Sequence, residues 1–129
     1  MLAALKEAVK GEKEQEVPVG AVVVFRDRIV ARAHNQTIKR QDPTAHAEIL
    51  AMRHAARKLG NYRLSGASMY VTVKPCPMCC GAMIWARIKR VVYGAPCGRN
   101  EPNHRLLKRG GVLAAESRDI MKGFFRERR

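Results

Sequence analysis

At 129 residues the chain has the length of one ordinary domain, long enough to bury a core without disulfide or metal staples, and 1–129 is read as a single domain. Apolar runs such as Ala21 to Phe25 fall far short of the roughly 20 residues that cross a bilayer, and the start MLAALKEAVK lacks a secretory signal, so a membrane role is excluded and a cytoplasmic location expected. The formal charge of +14, from 25 Lys and Arg against 11 Asp and Glu, lies wholly beyond residue 16 and fits a polyanionic partner, most often nucleic acid; a merely solvated surface is the plain alternative.

Residues 1–10 read as a helix. Val17 to Ala33 reads as a hairpin, with VPVGAVVVF, a tight turn at Arg26, Asp27 and Arg28, then IVARAH. The next helix has a start in which Asp42 can cap and Pro43 fits the first helical position, and it ends at Gly60 and Asn61. Residues 67–73 (ASMYVTV) form a strand, Pro77 opens a helix to about Arg87, and residues 89–95 (KRVVYGA) form another strand. An irregular segment with one short strand leads to a last helix, AAESRDIMKGFFRERR, interrupted at Gly123. The strand, helix, strand order from 67 to 95 is a crossover unit. The expected fold is therefore α/β, with a partly parallel sheet and helices on both faces.

Four cysteines stand at 76, 79, 80 and 97, three of them within five residues. In a reducing compartment that clustering points to metal or chemistry rather than disulfides. Cys76 and Cys79 form a C-x-x-C pair at the mouth of a helix, where three-residue spacing places both on one face and the helix dipole favours thiolates. With His46 as a third ligand, the fourth tetrahedral position would hold water, which marks catalytic zinc. A zinc-bound water is a nucleophile at neutral pH, and Glu48 beside it would move protons. His46 and Glu48 are two residues apart, a spacing that does not share a face of a regular helix. Taken singly, the C-x-x-C pair also reads as a redox pair or half a structural zinc knot, and His46 as an ordinary helical histidine.

Together, H-x-E followed 28 residues later by P-C-x-x-C is the signature of the zinc nucleobase deaminases. The chain resembles the bacterial tRNA adenosine deaminases of that superfamily in EVPVGAVVV (16–24), HNQTI (34–38), DPTAHAEI (42–49), NYRL (61–64), PCPMCCGAMI (75–84), RVVYGA (90–95), NHR (103–105), GGVL (110–113) and FFRERR (124–129). The resemblance implies a three-layer α/β/α, cytidine-deaminase-like fold with a central mixed five-stranded sheet, and a homodimer. It implies one catalytic Zn2+ held by His46, Cys76 and Cys79, Glu48 as proton shuttle, and Asn35 as a hydrogen-bonding residue for the base or its sugar. The implied reaction is hydrolytic deamination of adenosine to inosine at a tRNA wobble position, on an unpaired base. Arg126, Arg128 and Arg129 then suit phosphate contacts and Phe125 a stacking face, with packing of Phe124 or Phe125 against the sheet as the structural alternative.

Three departures stand out. Lys74 replaces a customary acidic residue before PC, Cys80 replaces a small one, and only PCGRNEP separates VVYGA from NHR, where the family has a longer segment. The short 96–102 segment would open the cleft or weaken the dimer. With the short N-terminus and abrupt basic tail, it would suit a compacted or engineered deaminase acting on single-stranded DNA, as a base-editor component does. Competing readings are a cytosine deaminase on single strands, a guanine deaminase, and a non-catalytic zinc-stabilised RNA-binding module with Cys80 or Cys97 as fourth ligand.

Overall fold

The structure is a computed structural model that describes residues 1–96 and 107–127. Its elements are α1 (Leu2–Lys13), β1 (Gly20–Phe25), β2 (Arg28–His34), α2 (Ala47–Leu59), β3 (Ser68–Val73), α3 (Pro77–Trp85), β4 (Arg90–Ala95), β5 (Leu107–Arg109) and α4 (Ala114–Glu127). The five strands form one mixed sheet in the order β2-β1-β3-β4-β5. β1 runs antiparallel to β2 and β3, while β3, β4 and β5 run parallel to one another. α1 and α4 cover one face, and α2 and α3 the other. This is the three-layer α/β/α arrangement expected, with the crossover unit at β3, α3 and β4.

The period of two along β1 decides what each face holds. Ala21 and Val23 point into the core beneath α2, where they meet Leu50, Ala51, Met69, Val71 and Met83. Fully burying a valine, leucine or methionine side chain contributes about 1.5–3 kcal/mol. Gly20 lies on the opposite face, where an added Cβ would stand 1.9 Å from the Ala4 carbonyl oxygen of α1. At Gly94 in β4 a Cβ would stand 2.5 Å from Ser117 Oγ of α4 and 2.6 Å from the Thr72 carbonyl oxygen. Both glycines therefore let a helix lie directly on the sheet.

The local readings need four corrections. α1 extends to Lys13, and Arg28 belongs to β2, because Phe25 pairs with it across a two-residue turn. Arg26 and Asp27 both have positive φ (50° and 62°), the backbone of a type I′ hairpin turn. Asp42 does not cap α2. Its Oδ1 instead accepts from Thr44 N–H at 2.9 Å and Thr44 Oγ1 at 2.7 Å, bonds that hold the Asp42 carboxyl below its ordinary pKa. That local turn places Pro43 outside the helix and delays α2 to Ala47. Finally, α4 runs unbroken through Gly123, since buried Phe124 anchors that stretch to the sheet and tertiary packing outweighs glycine's low helix propensity.

A Cβ at Gly123 would meet nothing within 4 Å. Gly123→Ala is therefore expected to stabilise the protein by about 0.5–1 kcal/mol in denaturant unfolding. Gly20→Ala, which forces backbone atoms of α1 away, is expected to cost about 1–3 kcal/mol or more in the same measurement.

Candidate active site

β2 ends at His34, and the chain then crosses the edge of the sheet through residues 35–46 before α2 begins. This connection is held by groups that sequence reasoning passed over. Glu16, 1% exposed, accepts from the Ile38 N–H at 3.1 Å through Oε1 and from the Lys39 N–H at 2.7 Å through Oε2. Asn35 N–H donates to the Val19 carbonyl at 3.1 Å, and Gln36 N–H to the Ala45 carbonyl at 3.0 Å. Buried His34 sits between two carboxylates of α1 and its end, with Nδ1 3.2 Å from Glu7 and Nε2 2.8 Å from Glu14. The contact with His34 pulls the Glu14 carboxyl below its usual pKa.

His46 is the N-cap of α2, with extended backbone (φ −71°, ψ 153°), so its ring leaves the chain before the helix starts. Glu48 lies in the first turn, and the two side chains reach one place despite their spacing. Cys76 repeats the device as N-cap of α3 (φ −72°, ψ 167°), with Pro77 opening the helix and Cys79 following within the first turn. The ligand atoms of His46, Cys76 and Cys79 lie within 4.8 Å of one another. His46 Nδ1 is 3.6 Å from Cys76 Sγ and 3.5 Å from Cys79 Sγ. Tetrahedral zinc with Zn–S of about 2.3 Å and Zn–N of about 2.0–2.1 Å requires an S to N separation of about 3.6 Å. The donor set and its spacing therefore fit zinc. Cys80, 1% exposed, directs its thiol to the Pro75 carbonyl at 3.8 Å and is not part of the triad among the described residues.

Glu48 is 4% exposed and lies beside the Cys79 thiol. Burial holds the Glu48 carboxyl above its ordinary range, and burial likewise pushes the Cys79 thiol up. Binding a metal requires both cysteines to give up their protons. Beside these groups lies a pocket of about 230 Å³. Asn35 and Thr37 line one side, Val17, Val19 and Val73 supply apolar walls, and His46, Glu48 and Cys76 line the metal side. Asn35 is buried, and its Nδ2 donates to Thr37 Oγ1 at 3.3 Å. Thr37, Val17 and Val19 were not singled out from sequence, where the valines read only as strand and core.

The remaining candidates lie apart from this pocket. Phe124 is buried, whereas Phe125 is 50% exposed and meets it edge to face at 5.2 Å. Phe125 and exposed Arg126 line a surface groove of α4 with Met121 and Lys122. Arg128, Arg129 and Cys97 lie outside the described residues, as does most of the short 96–102 segment.

Residues 1–95 match the family model of the cytidine and deoxycytidylate deaminase zinc-binding region. The tRNA-specific adenosine deaminase of Bacillus subtilis is 43% identical, over all of this chain and 88% of its own length; that alignment needs 142 positions for the 129 residues here, so the relative carries residues this chain lacks. A structure solved in a study of A-to-I editing by tRNA:A34 deaminases superposes with a TM-score of 0.88 at 40% identity, covering 93% of this chain and 96% of its own. The fold is thus the cytidine-deaminase-like one. The structure of guanine deaminase from Bacillus subtilis has a TM-score of 0.69 at 42% identity, over 72% of this chain and 60% of its own.

Two site variants separate metal from proton transfer. Cys76→Ser is expected to lose zinc on dialysis, read by elemental analysis. Glu48→Gln is expected to keep its zinc while turnover falls about 10²- to 10⁴-fold. A raised Glu48 pKa also means that the folded site favours the protonated carboxyl: the stability this gives is full below about pH 4.5 and lost as pH rises through the folded value. Metal-free Glu48→Gln is therefore expected to melt no lower than the parent at pH 8, by calorimetry.

Proposed function

The chain belongs to the zinc-binding cytidine and deoxycytidylate deaminases and, within them, to the tRNA-specific adenosine deaminases; on that basis we propose that its substrate is an unpaired adenosine in a tRNA anticodon loop, which it hydrolyses to inosine and ammonia. The observation that carries this reading is the convergence of His46, Cys76 and Cys79 with Glu48 and Asn35 on one small pocket. His46, Cys76 and Cys79 would hold one catalytic zinc per chain. That zinc, when bound, supplies a Lewis acid that lowers the pKa of water toward neutrality.

The protein groups divide the remaining work. Glu48 is general base and then general acid: its carboxylate takes a proton from the attacking water and returns protons to the purine, so that the C6 amino group departs as ammonia. Its burial keeps the carboxyl basic enough for both directions of transfer. Val17, Val19 and Val73 pack on the base and exclude bulk water, and Asn35 fixes the base or sugar by hydrogen bonding. The pocket admits one base without its pairing partner, which is why the substrate is a loop or single strand. Phe125 and Arg126, with Arg128 and Arg129 beyond them, would meet the flanking strand by stacking and phosphate contact. Two copies would pair through the apolar groove of α2 and α3, lined by Met52, Ala56, Tyr62 and Ala82, in which Tyr62 remains 73% exposed.

Digestion and nucleoside analysis of incubated substrates tests the reading. The substrates are an anticodon-like RNA hairpin, an adenine-bearing DNA strand, a cytosine-bearing DNA strand and free guanine. Inosine from the hairpin is expected; xanthine from guanine as the sole product would overturn the proposal in favour of the guanine deaminase chemistry named for one structural relative. Arg126→Glu is expected to weaken hairpin binding by about tenfold, equivalent to ~1.4 kcal/mol. Tyr62→Asp is expected to convert a dimer to a monomer in sedimentation.

A further inference from the structure

The pocket contains a cation that the reaction as described does not use. Lys74 follows Val73 at the end of β3 and precedes Pro75 and Cys76. Its N–H donates to the Ala95 carbonyl at 2.8 Å, which pins its main chain between the ends of β3 and β4. The half-buried side chain lines the pocket beside Val73, Asn35 and Cys76, and among the described residues no carboxylate forms an ion pair with it. Among the described residues it is the one Lys or Arg in the lining.

Volume and charge together decide what meets this ammonium. At about 230 Å³ the pocket falls below the roughly 300–1,000 Å³ of sites that enclose drug-sized ligands, so a base fills it while sugar and phosphate stay at the mouth. With zinc bound, the charges of the two cysteine thiolates would be offset by the ion, so Lys74 supplies the positive charge that a phosphate at the mouth can meet. A lysine on a flexible stem is a mobile point charge suited to a phosphate whose position varies with the strand.

We propose that Lys74 is a specificity-determining residue that takes the phosphodiester adjoining the target nucleotide, so that the site selects an adenine within a strand over the free base or nucleoside. The proposal rests on the deaminase reading above and deepens it.

Binding is measured in zinc-loaded protein carrying Glu48→Gln, which holds substrate without converting it, by fluorescence anisotropy of an anticodon-like RNA hairpin with a single loop adenosine over a salt series. Lys74→Gln is expected to weaken binding about five- to tenfold at low salt and to reduce the slope of log K against log salt by about 0.7, the value for one single-strand phosphate contact. Lys74→Arg, which keeps the charge, is expected to restore the slope. A single methylphosphonate next to the target adenosine is expected to reproduce the loss in the protein that retains Lys74, and to add nothing to Lys74→Gln. An unchanged slope overturns the proposal, as do additive losses from the variant and the methylphosphonate. In protein that retains Glu48, a fall in turnover at saturating hairpin on Lys74→Gln, with the binding slope intact, also overturns it, since the lysine would then act on the chemistry rather than on the strand. These binding readings need no product. A hairpin bound with a Lys74-dependent slope and never converted to inosine by the Glu48 protein would overturn the deaminase reading and leave the phosphate subsite standing.

Discussion

Because His46 and Cys76 occupy N-cap positions with almost the same extended backbone, the candidate metal site is created by where two helices start rather than by what faces they present. An N-cap residue directs its side chain across the helix mouth, and the residues of the first turn then point to the same space. Glu48 and Cys79 are those first-turn residues. Neither cap residue makes a side-chain hydrogen bond to its own helix, so the usual capping contribution of about 1 kcal/mol is forgone and the imidazole and thiol stay available as ligands. The sheet supplies the registration: β1 pairs antiparallel with both β2 and β3, which brings the ends of β2 and β3, and so the segments before both helices, to one end of the sheet.

The wall opposite the metal is fixed by buried acids rather than by secondary structure. Residues 35–46 form no ladder, yet their N–H groups must be satisfied where they are shielded from water. Glu16 answers two of these from the start of the β1 segment, and the Val19 and Ala45 carbonyls answer Asn35 and Gln36. His34, clamped by Glu7 and Glu14, joins the same connection to α1. Thus α1 and the turn that follows it hold the Asn35 side of the pocket in place through Glu7, Glu14 and Glu16.

Much of this was legible in the sequence because it is written in spacing. The alternation in β1, Pro77 before a helical run, and the crossover from 67 to 95 each follow from local rules, and the H-x-E and P-C-x-x-C pair picked out the His46, Cys76 and Cys79 side chains that the fold brings together. What could not be read depends on competition between local options. Asp42 followed by Pro43 is a sound helix start by propensity, but Thr44 captured the carboxylate in a turn, and that displacement of α2 by a few residues is what reconciles His46 with Glu48. Gly123 signals a break that the burial of Phe124 overrides. Glu16 and Thr37 carry no pattern at all, since their partners lie more than twenty residues away or across a turn that only the folded chain forms.

Both outer strands of the sheet bear cations. β2, at one edge, exposes Arg28 and Arg32, and β5, at the other, carries Lys108 and Arg109. An outer strand is a template on which another chain can add, the first step toward aggregation, and like charges on both rims make edge-to-edge addition between copies electrostatically unfavourable. The positive excess therefore has a second physical effect, independent of any nucleic acid: it gives the protein colloidal stability. Salt screens both interactions over the same distance of about 8 Å at physiological ionic strength. Conditions that release a bound strand thereby also remove the repulsion that keeps the freed protein molecules apart.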